Sequence, residues 1–302
     1  MIDDACMGLK AVGAITAVPG QEGRLRVGLS EVEKEQFRKL GYVIRPGMLN
    51  AERVAAVSAE IDRYVQVEPP FDGRHIANYD QLCSLVTDRE TLAITDDIMR
   101  GDSFSFHHCH AARHDPGLPG VPWHHDYEQV PQTNRSHVQL HVLHYLDGLN
   151  GTVGDLLLLP RSHRSVMRRD ALSFLGVEEI PGTVVLNDLP PGSVVFVHSA
   201  VVHARRAQPG GGDRKRYFID IAFVQHGVQW PSYGREGWRD TMAQMDSKHH
   251  QSDRPRLFDA DAFFDIAEAV SRVQGSAGSI AMRLPEVPVA DRPLSGRIPI
   301  VQ

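Results

Sequence analysis

The sequence predicts a mainly β protein with flanking helices, and three observations carry that prediction. Between about residues 103 and 225, short runs of β-branched and aromatic residues alternate with Gly/Pro turns, as in a sandwich or barrel. Ahead of that stretch lie segments with capping residues and helical apolar spacing. Within it, Val121-Pro122-Trp123-His124-His125-Asp126-Tyr127 places a histidine and an aspartate two residues apart in a segment of strand character. Side chains at i and i+2 of a strand share a face, so His124 and Asp126 can reach one metal ion while His125 points away.

Residues 1–28 are small, glycine-containing and weakly periodic, and read as a mobile or loosely docked extension. The remainder, 29–302, reads as a single domain. Ser30-Glu31-Val32-Glu33 fits a capping box, and Gly41 is the expected left-handed stop for the helix it opens. Tyr42-Val43-Ile44 follows as a short strand, with a turn at Pro46-Gly47. Asn50 caps a second helix whose apolar stripe is Val54, Val57, Ile61 and Val65. Residues 68–75 are a loop, and a third helix covers about 88–99. Strands are expected from Ser103 to His110, at His124/Asp126, from Ser136 to Leu146, at Leu156–Leu159 and Thr183–Leu186, from Ser193 to His198 and from Arg216 to Val224. Helices return near 235–246 and 259–273, and the proline-containing tail from Leu284 should be extended.

A chain of 302 residues with 42% hydrophobic and 23% charged residues can bury a substantial core. A net charge of −6, with no long basic run, argues against nucleic-acid binding. Cys6, Cys83 and Cys109 are odd in number and scattered, which suits a reducing cytoplasm better than a disulfide framework. No signal-peptide pattern and no apolar run long enough to span a membrane is visible, so a cytoplasmic, membrane-independent protein is expected.

A third metal ligand is available far downstream, in Phe196-Val197-His198-Ser199-Ala200-Val201-Val202-His203-Ala204-Arg205. Two histidines and a carboxylate on one side of a metal form a facial triad that leaves coordination positions open. The order Trp123-His124-His125-Asp126, then Pro160-Arg161-Ser162-His163, then His203 and Arg216 resembles the phytanoyl-CoA dioxygenase-like family of Fe(II)/2-oxoglutarate oxygenases. The segment Phe37-x-x-x-Gly41-Tyr42-Val43 is similar to that family's opening. The resemblance covers about residues 30–225 and implies a double-stranded β-helix (a cupin-like jelly roll) with the metal inside one end. It implies Fe(II) on His124, Asp126 and His203, with 2-oxoglutarate and O2 consumed and succinate and CO2 released. It favours His203 over His198 as the distal ligand, and gives one of Arg216 and Arg214 the distal carboxylate of 2-oxoglutarate, which a planar guanidinium fits. The resemblance favours Arg216, because in that family the arginine stands seven residues ahead of an aromatic, as Arg216 does of Phe223 here.

Arg161 departs from the family's usual Pro-Gly-Ser-His and is expected to be harmless. Ser162 and His163 read as a structural turn, since no partner acid or oxyanion element accompanies them. His141, on the long central strand, is placed beside the co-substrate. His108 and His110 share a strand face and are placed in the substrate pocket, together with Trp123 and His198, although Trp123 reads better as packing and His198 as a satisfied histidine beside the site. A second metal on the His107, His108 and His110 run is discounted, because one face supplies only two ligands. Hydroxylation of a small molecule, a natural-product intermediate, is the expected reaction. A Zn- or Mn-dependent jelly-roll hydrolase or isomerase, or a non-catalytic metal-dependent binding module, are the competing classes.

Overall fold

The computed structural model describes residues 27–69, 73–129, 135–207, 215–233, 237–265 and 268–269. The expected extension, up to residue 26, the tail from Leu284 and Arg214 lie outside them. Contacts divide the chain into two units, Met1–Phe264 and Asp265–Gln302. The second falls almost wholly outside the described residues, and the architecture below is that of the first.

The N-terminal helices form where their caps predict. Helix α1 (Glu31–Leu40) opens with the full Ser30/Glu33 capping box and closes on Gly41 at φ 88°. Strand β1 (Tyr42–Arg45) follows, then α2 (Ala51–Val67), whose Asn50 side chain accepts from the Arg53 N–H. Val57 and Ile61 of the expected stripe are fully buried, with Val54 and Val65 packed against the same core. Between this helix and the expected third lies a short one that the sequence did not announce, α3 (Asp80–Val86), before α4 (Arg89–Ile98) with Asp88 as its cap.

The strands build two antiparallel sheets. They are β2 (Phe104–His114), β3 (Val121–His124), β4 (Gln139–Tyr145), β5 (Leu156–Leu159), β6 (Val184–Leu186), β7 (Ser193–His198), β8 (Val202–Arg205) and β9 (Arg216–Gln225). The large sheet runs β1-β7-β4-β9-β2 and the small one β3-β8-β5-β6. The first unit ends with a parallel pair, β10 (Trp230–Pro231) and β11 (Phe263–Phe264), with helix α5 (Trp238–His249) between them in sequence. Of the helix expected over 259–273, residues 268–269 are helical, but residues 260–264 are not. A single 3-10 turn at Ala260–Ala262 leads directly into β11.

Alternation along the strands sorts the side chains into three layers. Leu140 and Val142 of β4, Val194 and Phe196 of β7, and Ile219, Ile221 and Phe223 of β9 pack under the helices. Leu143, Tyr145, Val195, Val197, Leu156 and Leu158 fill the space between the sheets. Trp123, Leu157, Val202 and Ala204 form an outer layer behind the small sheet. The residues that alternate with the helix-facing and outer sets, His108, His141, His203 and Asp220 among them, face the interior between the sheets. This arrangement is the jelly roll that the sequence implies.

Candidate active site

Strands β3 and β8 lie side by side with His124 opposite His203. Trp123, Val202 and Ala204 turn outward into their apolar layer, so His124, His203 and Arg205 turn inward. Each histidine is fixed by its Nδ1–H, which donates to a backbone carbonyl: Pro122 at 2.7 Å for His124 and Val201 at 3.0 Å for His203. Both rings thereby present Nε2, the tautomer in which a ligating histidine is usually held. Their centroids are 4.4 Å apart. Asp126 completes the set, with Oδ1 3.6 Å from His124 Nε2 and Oδ2 3.3 Å from His203 Nε2. Strand β3 ends at His124, so Asp126 is not held by the ladder as expected. Its backbone N–H is anchored on the Ser199 carbonyl at 2.8 Å, and Arg169 donates to Oδ1 at 3.2 Å.

The electrostatics fit a cation. Burial pushes the Asp126 carboxyl up, but the hydrogen bond and charge of His203, with His124 behind it, outweigh that and hold it well below the usual carboxylate range. Burial and the neighbouring His203 pull His124 down to about 4, so its Nε2 carries a free lone pair at neutral pH. Burial also pulls on His203, but Asp126 outweighs it and raises it. A divalent ion at this point would take over the charge pairing that His203 and Asp126 make with each other.

Arg216, at the start of β9, is buried with 3% exposure and stacks over Tyr145 (5.2 Å) and Phe218 (4.7 Å). Its Nη1 meets His114 Nδ1 at 3.3 Å, while Nε has no hydrogen-bond partner among the described residues. Neither does Arg205 Nη1, while the Tyr145 side chain lies against the Arg216 guanidinium. Burial, and then the charge of Arg216, depress Arg205 to about 10, so the two guanidiniums sit near enough to repel. A buried guanidinium, a half-buried one and a phenol gathered here could together take an anion such as a carboxylate. Arg205 and Tyr145 were not selected from sequence, although Arg205 stands two residues from His203 and alternation alone puts it on the same face.

The remaining predicted residues separate. His108 on β2 and His141 on β4 both face the interior, and they converge on Asp220 of β9, a residue that the sequence reading passed over. His141 Nδ1 lies 2.9 Å from both Asp220 oxygens, and His108 Nε2 lies 3.5 Å from Oδ2. His110 stacks on His108 at 5.2 Å and reaches Asp220 at 3.8 Å. Trp123 does not line a pocket: it is fully buried, and its Nε1–H donates to the Glu178 carbonyl at 2.8 Å. His198 also leaves the pocket. It shares the parity of Val194 and Phe196, so it points under the helices toward Phe37, with Nδ1 accepting from Ala200 N–H at 3.1 Å. His125 points away from the metal ligands as expected, yet it is fully buried: Nδ1 accepts from Tyr127 N–H and Nε2–H donates to the Met167 carbonyl.

Several solved structures share this fold. The nickel- and 2-oxoglutarate-bound HygX from Streptomyces hygroscopicus superposes with a TM-score of 0.55 at 15% identity, covering 68% of this chain and 90% of its own. The non-haem α-ketoglutarate-dependent epimerase SnoN from nogalamycin biosynthesis gives 0.53 at 19%, covering 64% and 79%. EctD from S. alaskensis, with 2-oxoglutarate and 5-hydroxyectoine, gives 0.55 at 17%, covering 67% and 78%. No curated protein matches the chain. The model of the phytanoyl-CoA dioxygenase family matches residues 37–215, a span that begins in α1, contains all three residues of the His124/Asp126/His203 set and stops one residue before Arg216. With the jelly roll and this donor set, the match places the chain in the phytanoyl-CoA dioxygenase family of Fe(II)/2-oxoglutarate-dependent enzymes.

Proposed function

We propose that this protein is an Fe(II)- and 2-oxoglutarate-dependent dioxygenase that hydroxylates a small organic molecule, a natural-product intermediate, in the cytoplasm. The carrying observation is the convergence of His124 Nε2, His203 Nε2 and Asp126, each ring fixed by its own backbone hydrogen bond. Three ligands on one side leave the other side of an ion open, the requirement for bringing a co-substrate and O2 together. Iron with 2-oxoglutarate and O2 supplies the oxidising chemistry in such enzymes.

The chain's own residues do the rest. His124, Asp126 and His203 hold the ion. Arg216, backed by Tyr145 and Arg205, takes the distal carboxylate of 2-oxoglutarate and so fixes its orientation. Leu143, Val195 and Val197 wall the interior with apolar surface, which excludes water and strengthens the charge pairing inside. His141, expected beside the co-substrate, is engaged by Asp220 instead.

The test is to supply Fe(II), 2-oxoglutarate and pooled metabolites under air and follow succinate and product mass. A gain of one oxygen in a product, coupled to succinate, is the expected result. Loss of two hydrogens, or succinate with an unchanged mass, would replace hydroxylation by desaturation or epimerisation. No succinate with any pool, from protein that binds iron, would overturn the reading.

A further inference from the structure

Inside the jelly roll the large sheet carries a second set of metal-ligating side chains. His108, His141 and Asp220 lie on three neighbouring strands, β2, β4 and β9. Ala222 is paired with His108 on one side and His141 on the other, and Asp220 is two residues before it on the same face. The small Ala222 side chain leaves room between the two imidazoles. A register shift between Phe106 and His108 sets this alignment. A single strand offers only two ligands on one face, but three strands together supply a full set.

The hydrogen bonds fix which atoms bear protons. The Pro231 carbonyl can only accept, so His107 donates to it through Nε2–H at 2.9 Å. Neutral His107 then has a lone pair on Nδ1, which must accept from His108 Nδ1–H at 3.0 Å. Neutral His108 is left with a lone pair on Nε2, and that atom faces the Asp220 carboxylate at 3.5 Å. Two acceptors thus oppose one another in a buried place, and His108 Nε2 has no hydrogen-bond partner among the described residues. His108, His141 and Asp220 are 6%, 5% and 7% exposed, so water in bulk does not compensate.

We infer that His108 Nε2, His141 Nδ1 and Asp220 hold a second divalent transition-metal ion, with the same two-histidine, one-carboxylate donor set as the first site. Metal–ligand bonds of about 2.0–2.2 Å put neighbouring donor atoms roughly 3.0–3.5 Å apart. The Asp220 separations of 2.9 Å from His141 and 3.5 Å from His108 lie near that range. The ion takes the position of the His141 Nδ1 proton, which moves to Nε2 or is released.

The experiment uses full-length protein stripped with chelator and reloaded with Co(II), read by metal analysis and by diffraction at the cobalt edge. Wild type should hold two ions per chain. His124→Ala/His203→Ala should hold one, and adding Asp220→Asn should remove it. His108→Gln in the same background provides a second route if Asp220→Asn does not fold, and the anomalous peaks of wild type need no variant. Wild type holding a single ion, with its peak at His124, Asp126 and His203, would overturn the inference. So would a residual ion that survives both Asp220→Asn and His108→Gln. If the first site were misassigned instead, His124→Ala/His203→Ala would leave the metal content unchanged while a peak remained at Asp220.

Discussion

At the scale of single residues, neighbouring histidines carry different tasks. His124 presents Nε2 to the proposed metal position, and His125 is a buried bracket between Tyr127 N–H and the Met167 carbonyl. His124→Ala should abolish iron binding with a small change in stability. His125→Ala should retain iron but destabilise the fold by about 2–4 kcal/mol, since it opens a cavity and strands two buried polar groups. Iron titration and denaturant melts of the two variants separate these effects, and loss of iron in both would move the ligand assignment by one residue. The co-substrate anchor gives a second residue-level expectation. Removing one partner of a buried charge-assisted pair costs roughly 2–5 kcal/mol. Arg216→Ala should therefore weaken 2-oxoglutarate binding by tens to thousands of fold, at about 1.4 kcal/mol per decade. Arg216→Lys should recover little, because it keeps the charge without the fork. Arg205→Ala should weaken binding less, and an unchanged 2-oxoglutarate constant in all three would take the carboxylate elsewhere.

At the scale of elements, the legible parts were those whose signal is local. The capping box, the Gly41 stop and the runs Leu156–Leu159 and Ser193–His198 are written in consecutive residues, and they form where read. Strand β8, only four residues long, has no pattern of its own and exists because β3 and β5 flank it. The same reason hid Asp220: one acid in the apolar run Ile219–Val224 declares its role only when β2 and β4 are laid beside it. Helix α3 was missed because seven residues hold too little periodicity to rise above a loop. Arg161 was judged harmless, yet it adopts φ 72°, a conformation that glycine enters without strain. The α1 cap yields a pH prediction. Burial pushes the Glu33 carboxyl up, but hydrogen bonds from Arg45 and Ser30 outweigh it and hold it at about 2, below its ordinary 4.5. A depressed folded-state value adds stability above pH 4.5 that is lost as pH falls toward 2. Because the pair is partly solvated, the amount is about 1 kcal/mol. Melts between pH 5 and 2 should fall more steeply for wild type than for Glu33→Gln, and parallel curves would remove Glu33 from the acid response.

At the scale of the whole molecule, the two sheets bring together groups that are far apart in sequence. The proposed metal ligands come from β3, the segment after it and β8 of the small sheet, while the proposed carboxylate site draws Arg216 and Tyr145 from the large sheet and Arg205 from the small one. A co-substrate chelating the metal and reaching Arg216 would therefore span both sheets and tie them together. A ligand that binds only the folded state stabilises it by about 2.7 kcal/mol at a hundred times its dissociation constant. At roughly 2 °C per kcal/mol for a chain of this size, that is a rise of about 5 °C in Tm. In the absence of O2, Fe(II) alone should raise Tm, and 2-oxoglutarate should add a further increment only when metal is present. Arg216→Ala should keep the first increment and lose the second, while His203→Ala should lose both. A full 2-oxoglutarate increment in metal-free protein would mean that the Arg216 pocket binds the carboxylate without help from the metal, and the two sites would then be independent rather than two ends of one bound molecule.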